Sequence, residues 1–273
     1  MAGFIARQWW NAERFGLTPN KLPLRLTNGS MPKVICISIP KAGTHLIERA
    51  LCKHPGLYRP LLKTVDEANL PVDGFEQLIA GLRPGQVIFS HLFYTEERAR
   101  VLSEMNVHCL FMIRDLRDIV VSEANYLSSS TNHIYHRAFA GIDTQQGRIE
   151  RALEGHTESG LPSMVQLFEG FRGWLNSAAK TVRFEDLIGA SGGGDTAQQE
   201  KVLAEIFQFI GVSCDDKCVK KLAAKVFSTA SPTFHRGYSS QWPNFFDEEI
   251  KQKFKSMTGD ALINYGFESS TDW

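Results

Sequence analysis

The sequence predicts an α/β fold: a single domain on a parallel sheet with helices on both faces. Three observations carry this. Short runs of apolar, β-branched residues alternate with amphipathic helical stretches. Those runs are apolar throughout rather than at every second residue, the pattern of strands buried on both faces. At 273 residues the chain exceeds the usual domain of about 100–150 residues, yet α/β folds reach this length as one unit.

The elements follow in chain order. Residues 1–32 are rich in aromatics and close on the turn-like LTNGSMP, which predicts an N-terminal arm with Trp9 and Trp10 as packing anchors. The domain proper is expected over 33–273. KVICISI (Lys33 to Ile39) reads as the first strand, followed by a turn and the helical THLIERALCKH. QVIFSH (Gln86 to His91) precedes the helical YTEERARVLSEM, and VHCLFMIR (Val107 to Arg114) precedes DLRDIVVSEANYL. KTVRF (Lys180 to Phe184) is a further strand after the amphipathic MVQLFEGFRGWLNSAA. Ligands in such folds bind at the carboxyl ends of the strands.

Two segments break the rhythm. Residues 127–160 are long, polar and rich in His, Ser and Gly, predicting a mobile lid or acceptor-shaping insertion with a helix inside it. Ser191 to Asp195 (SGGGD) follows no strand directly, so it reads as a surface loop rather than a phosphate cradle.

Composition narrows the function. The chain is 43% hydrophobic and 22% charged, as expected of a globular protein rather than a disordered one. Its 30 basic and 30 acidic residues cancel, so no global field draws it to nucleic acid or anionic lipid, and any anion site must be local. The first residues, MAGFIARQWWNAERFG, show no export signal, and the longest apolar runs fall far short of the roughly 20 residues of a membrane helix. Of five cysteines, Cys36 and Cys109 lie in strand-like runs. Buried thiols fit a cytoplasmic setting. Cys214 and Cys218 have i, i+4 spacing but no further Cys or His at ligand spacing nearby, so no metal is expected.

Three motifs carry chemistry. ISIPKAGTHL (Ile37 to Leu46) lies between the first strand and its helix. Backbone N–H groups at a helix N-terminus, with Gly43 permitting close approach and Lys41 and Thr44 adding a cation and a hydroxyl, make an anion cradle. The fold is therefore of the P-loop type. The GxxxxGK[ST] pattern is absent and no Ser or Thr follows the lysine to hold magnesium, which disfavours a metal-bound triphosphate. In IRDLRDIVVS, Arg114 ends a strand and Ser122 stands eight residues on, about two helical turns later. Such an arginine can grip a second phosphate; the structural alternative is an ion-pair cluster of Arg114, Asp115, Arg117 and Asp118. In TFHRGYSSQW, His235, Arg236 and Gly237 can close over a phosphate, with Trp242 as an anchor.

Together the three motifs resemble the sulfotransferases that use 3′-phosphoadenosine 5′-phosphosulfate (PAPS), over roughly residues 33–267, with 127–160 unmatched. The resemblance implies that Pro40, Lys41, Ala42, Gly43 and Thr44 form the 5′-phosphosulfate loop, with His45 where a second Thr is common. It implies that Arg114 and Ser122 hold the 3′-phosphate together with His235, Arg236 and Gly237. It makes His91, in the string Ser90, His91, Leu92, the catalytic base, with Lys41 and Ser122 assisting, and it implies release of adenosine 3′,5′-bisphosphate (PAP). The chain departs from the family at Leu46, Phe89, Phe184 and His235, where an aromatic, a lysine, a tyrosine and an arginine are usual. Adenine is then expected on Phe184 or Phe227. The acceptor is expected to be a small molecule bearing a hydroxyl or amine. The competing classes are a P-loop kinase or hydrolase and a non-catalytic nucleotide-binding module.

Overall fold

In the computed structural model, which describes residues 2–22, 30–70, 74–227 and 240–273, the strands are β1 (Lys33–Ser38), β2 (Val65–Asp66), β3 (Val87–His91), β4 (Val107–Ile113) and β5 (Lys180–Arg183). They form one parallel sheet in the order β2-β3-β1-β4-β5. Val34, Ile35, Cys36 and Ile37 of the central strand are all 0% exposed, so both faces of the sheet are covered. Register then places the functional ends together. Ile37 of β1 pairs with Ser90 of β3, and Ser38 pairs with Met112 of β4. The carboxyl ends of all three strands emerge at one edge.

The main helices are α1 (Ala2–Arg14), α2 (Thr44–Cys52), α3 (Gly74–Ala80), α4 (Glu96–Glu104), α5 (Leu116–Ser129), α6 (Gln145–Glu154), α7 (Met164–Arg172), α8 (Phe184–Leu187), α9 (Thr196–Phe209), α10 (Asp216–Val226), α11 (Glu248–Thr258) and α12 (Ala261–Asn264). Side chains start most of them: Thr95, Asp115, Thr144, Asp195, Asp215 and Asp247 each accept a first-turn N–H, and Ser163 and Gln166 form a reciprocal capping box.

The structure corrects several expectations. Trp9 is 59% exposed and anchors nothing, while Trp10 stacks under Arg49 and Lys53. The buried anchor of the N-terminal segment is Lys21, whose ammonium donates to the carbonyls of Cys52 and Leu57. Burial lowers its pKa to about 8. Residues 127–160 are not a free-standing insertion: α5 extends to Ser129, and Ile149, Ala152 and Leu153 of α6 are 0% exposed in the main core. Their i, i+3, i+4 spacing is that of a core-facing stripe, masked in sequence by the polar residues around it.

Cys36, Cys52 and Cys109 are buried thiols, but Cys214 and Cys218 are joined in a disulfide. His54 lies beside that pair, a neighbour invisible in sequence, and the three make a group with ligand atoms within 4.8 Å of one another. Both His54 ring nitrogens are already engaged: Nδ1 accepts from the Gly56 N–H and Nε2 faces the Ser213 carbonyl. Among the described residues no helix is long and apolar enough to cross a membrane.

Candidate active site

A cavity of about 950 Å³ opens at the carboxyl edge of the sheet, at the upper end of what ligand pockets hold. The turn from β1 to α2 forms its floor. Gly43 has φ 107°, and a Cβ there would lie 2.6 Å from the Phe184 ring and 2.9 Å from Met112, so only glycine fits. Lys41 also sits in the left-handed region, at φ 66°, at a cost of about 1 kcal/mol. No side chain caps the N-terminus of the nine-residue α2. The uncapped end borders the cavity with its positive pole, which suits a phosphate or phosphosulfate.

His91 ends β3 and faces this turn. Its Nδ1 lies 2.7 Å from the Ser38 carbonyl and 3.3 Å from Ser38 Oγ, which bonds Thr44 Oγ1 at 2.8 Å. A carbonyl only accepts, so the bond assigns the proton to Nδ1 and leaves the Nε2 lone pair for the cavity. Burial lowers the imidazole pKa below its ordinary 6.5, against the opposing pull of the Ser38 bond. The ring is thus neutral at pH 7.

The ammonium of Lys41 lies 3.6 Å from the centroid of the Tyr126 ring. Burial lowers its pKa to about 8, with nearby Glu123 raising it and Arg114 lowering it. Glu123 answers in kind: burial raises its carboxyl to about 6, opposed by Lys41. Desolvation outweighs attraction on both partners. Ser122 lines the same cavity but makes no hydrogen bond to Lys41.

Arg114, at the tip of β4, lies over the Phe184 ring at 4.5 Å and reaches Asp118 at 3.4 Å. Asp118 also accepts the backbone N–H groups of Ser240, Gln241 and Trp242 at 2.8–2.9 Å. Burial raises its pKa, opposed by Arg114 and the backbone donors. The ion-pair alternative thus holds for both arginines, Arg114 with Asp118 and Arg117 with Asp115, although the cluster is buried rather than on the surface. Arg117 is clamped by Asp115 at 2.7 and 2.9 Å and by Glu268 at 2.7 Å, between the rings of Trp242 and Trp273.

Pro40, Lys41, Gly43, Thr44, His45, His91, Arg114, Ser122, Phe184 and Phe227 all border the one cavity. Ala42 is buried beneath the turn. His45 is tied to Glu48, its Nδ1 3.3 Å from that carboxylate. His235, Arg236 and Gly237 lie outside the described residues; flanking them, Phe227 and Gln241 reach the cavity. The SGGGD stretch contributes no lining residue. Sequence reasoning missed Glu123 and Tyr126 and read Asp118 only as part of an ion-pair cluster. A carboxylate within the apolar stretch of α5 was the available signal for Glu123.

No protein-family model matches the sequence, and no curated protein matches it. Among solved structures, the chain is similar to the crystal structure of mouse sulfotransferase SULT7A1 complexed with PAP. The TM-score is 0.62 at 17% sequence identity, and the match covers 88% of this chain and 88% of that one. With the parallel sheet and the β1 to α2 turn described above, that likeness gives the chain the sulfotransferase fold.

Proposed function

We propose that this chain transfers a sulfuryl group from PAPS to a small acceptor. The observation carrying the proposal is that Lys41, His91 and Arg114 border one cavity at the edge where β3, β1 and β4 end side by side. In this reading the turn at Lys41 and the uncapped start of α2 hold the phosphosulfate, and Arg114 and Ser122, which border the same cavity, hold the second phosphate. Phe184, which borders the cavity beside Gly43 and Arg114, is the ring assigned to adenine. When bound, PAPS supplies a sulfur–oxygen bond whose cleavage leaves PAP as an anion.

The residues do the rest by placement and charge. Nε2 of His91 takes the proton of the acceptor hydroxyl as its oxygen bonds to sulfur, while Nδ1–H stays on the Ser38 carbonyl and keeps the ring oriented. Lys41 neutralises the charge that develops on the departing phosphate oxygen. To reach that oxygen its ammonium leaves the ring of Tyr126. In this reading the loops between 127 and 160 shape the acceptor end of the cavity.

Thermal-shift titration distinguishes the donor classes. PAP should stabilise the protein without added metal, and ATP with magnesium should not; the reverse ranking would favour a kinase or hydrolase. Mass spectrometry of a metabolite panel should then show one SO₃ gained per acceptor.

The pH profile of kcat/KM for PAPS should be bell-shaped. His91 works neutral, and its pKa is depressed, so activity should hold down to below pH 6.5 before protonation removes the base. Lys41 works charged, so activity should fall as pH rises through about 8. Because Glu123 raises the Lys41 pKa, Glu123→Gln should move the alkaline limb to lower pH. A profile flat from pH 5 to 9 would remove both groups from these roles.

A further inference from the structure

In the reading above Glu123 acts on the donor site through the charge of Lys41, and its carboxyl is assigned no ligand of its own. Its residue is 8% exposed, its Oε2 is buried without a hydrogen bond, and it borders the cavity. A buried carboxylate must take a proton or a cation, because an uncompensated charge away from water is costly. Among the described residues, the cation whose charge acts on Glu123 is Lys41, seated on the ring of Tyr126 one turn further along α5, and donor binding recruits it elsewhere. The other described cations bordering the cavity are committed. Arg49 donates to the carbonyls of Val226 and Lys225, Arg148 to that of Ile142, and Arg114 pairs with Asp118. Of the neighbouring carboxylates, Glu67 is held bidentate by Arg98, and Asp66 caps a turn through the N–H groups of Ala68 and Asn69. Among the described residues, Glu123 is the carboxylate that loses the charge of Lys41 when Lys41 turns to the donor.

Tyr126 completes the geometry. It follows Glu123 by three residues on α5, so the two side chains are neighbours on one helix face. Its ring already receives an ammonium, that of Lys41 at 3.6 Å, and it is backed edge-on by His133 at 5.5 Å. A carboxylate beside an aromatic face is a site for a cationic nitrogen.

We propose that Glu123 and the face of Tyr126 bind a cationic nitrogen of the acceptor, so that the acceptor class is an amino alcohol or aminophenol. The Lys41 ammonium occupies in the free protein the place the acceptor's ammonium takes in the complex. The proposal rests on the sulfuryl-transfer reading and concerns the group that is held, not the hydroxyl that is sulfated.

Calorimetry with matched pairs tests it: tyramine against 4-ethylphenol, and 6-aminohexan-1-ol against heptan-1-ol, each with PAP-saturated and nucleotide-free protein. At least one amine should bind PAP-saturated protein on the order of 10- to 100-fold tighter than its neutral partner. Glu123→Gln, which removes a buried charge and keeps the shape, should collapse that ratio; Tyr126→Leu should reduce it. Equal binding within both pairs, or a ratio unmoved by Glu123→Gln, overturns the proposal. If PAP itself fails to bind, the donor reading falls separately, and the amine preference of nucleotide-free Lys41→Ala protein, in which the lysine no longer covers Tyr126, decides the role of Glu123.

Discussion

His91→Ala should lower turnover by about two to four orders of magnitude while PAP affinity is retained. The expectation follows from how the ring is held. Nδ1 is committed to the Ser38 carbonyl at 2.7 Å, so the variant loses the one side chain whose Nε2 is oriented to take a proton. The imidazole meets the start of the β1 to α2 turn at Ser38, through its carbonyl at 2.7 Å and its Oγ at 3.3 Å, and Thr44 still engages that hydroxyl. PAP titration of the variant by thermal shift, beside single-turnover transfer from PAPS, separates the two effects. Wild-type turnover in His91→Ala would take the base assignment away from this residue. Loss of PAP binding together with turnover would instead mark His91 as part of the donor site. His91→Gln should recover orientation without basicity and remain slow.

Asp118→Ala should be the most damaging of the stability variants, at about 3 kcal/mol and on the order of 5–10 °C in Tm for a chain of this size. The carboxylate accepts three successive backbone N–H groups and faces Arg114. Alanine leaves those buried donors without a partner and removes the carboxylate that faces Arg114. The same change loosens the start of the segment from Ser240 to Trp242, where Gln241 borders the cavity, so PAP affinity should fall along with stability. Asp118→Asn keeps one acceptor oxygen and should recover part of the stability. A melting temperature within 1–2 °C of wild type for the alanine variant would show that the three backbone bonds contribute far less than their burial implies.

The two variants mark where the sequence was legible. His91 was marked out by the resemblance and by its place at a strand's carboxyl end, where ligands sit in a parallel α/β sheet. Arg114 and Lys41 were legible for the same reason. Asp118 was not: its partners at 240–242 lie more than 120 residues away, and a first-turn acid has an ordinary local use beside the helix N-terminus. The ion-pair cluster and the cavity coexist in one motif: Arg117 is enclosed by indoles and carboxylates, and Arg114 pairs with Asp118 while bordering the cavity. Glu123 and Tyr126 escaped notice because their meaning depends on Lys41, which belongs to another element and reaches them only across the cavity.

By itself the sequence determined the parallel sheet, the turn that needs glycine at position 43 and the residue types gathered at the strand ends. These are local matters: apolar period, backbone conformation and the chemistry of single side chains. Tertiary structure alone decided which charges compensate one another. It paired Asp118 with a distant backbone, drew His54 beside a disulfide, made α6 part of the core and set Lys41 between Tyr126 and Glu123. Burial changes what a charge costs, and burial is a property of the assembled chain rather than of any stretch of it.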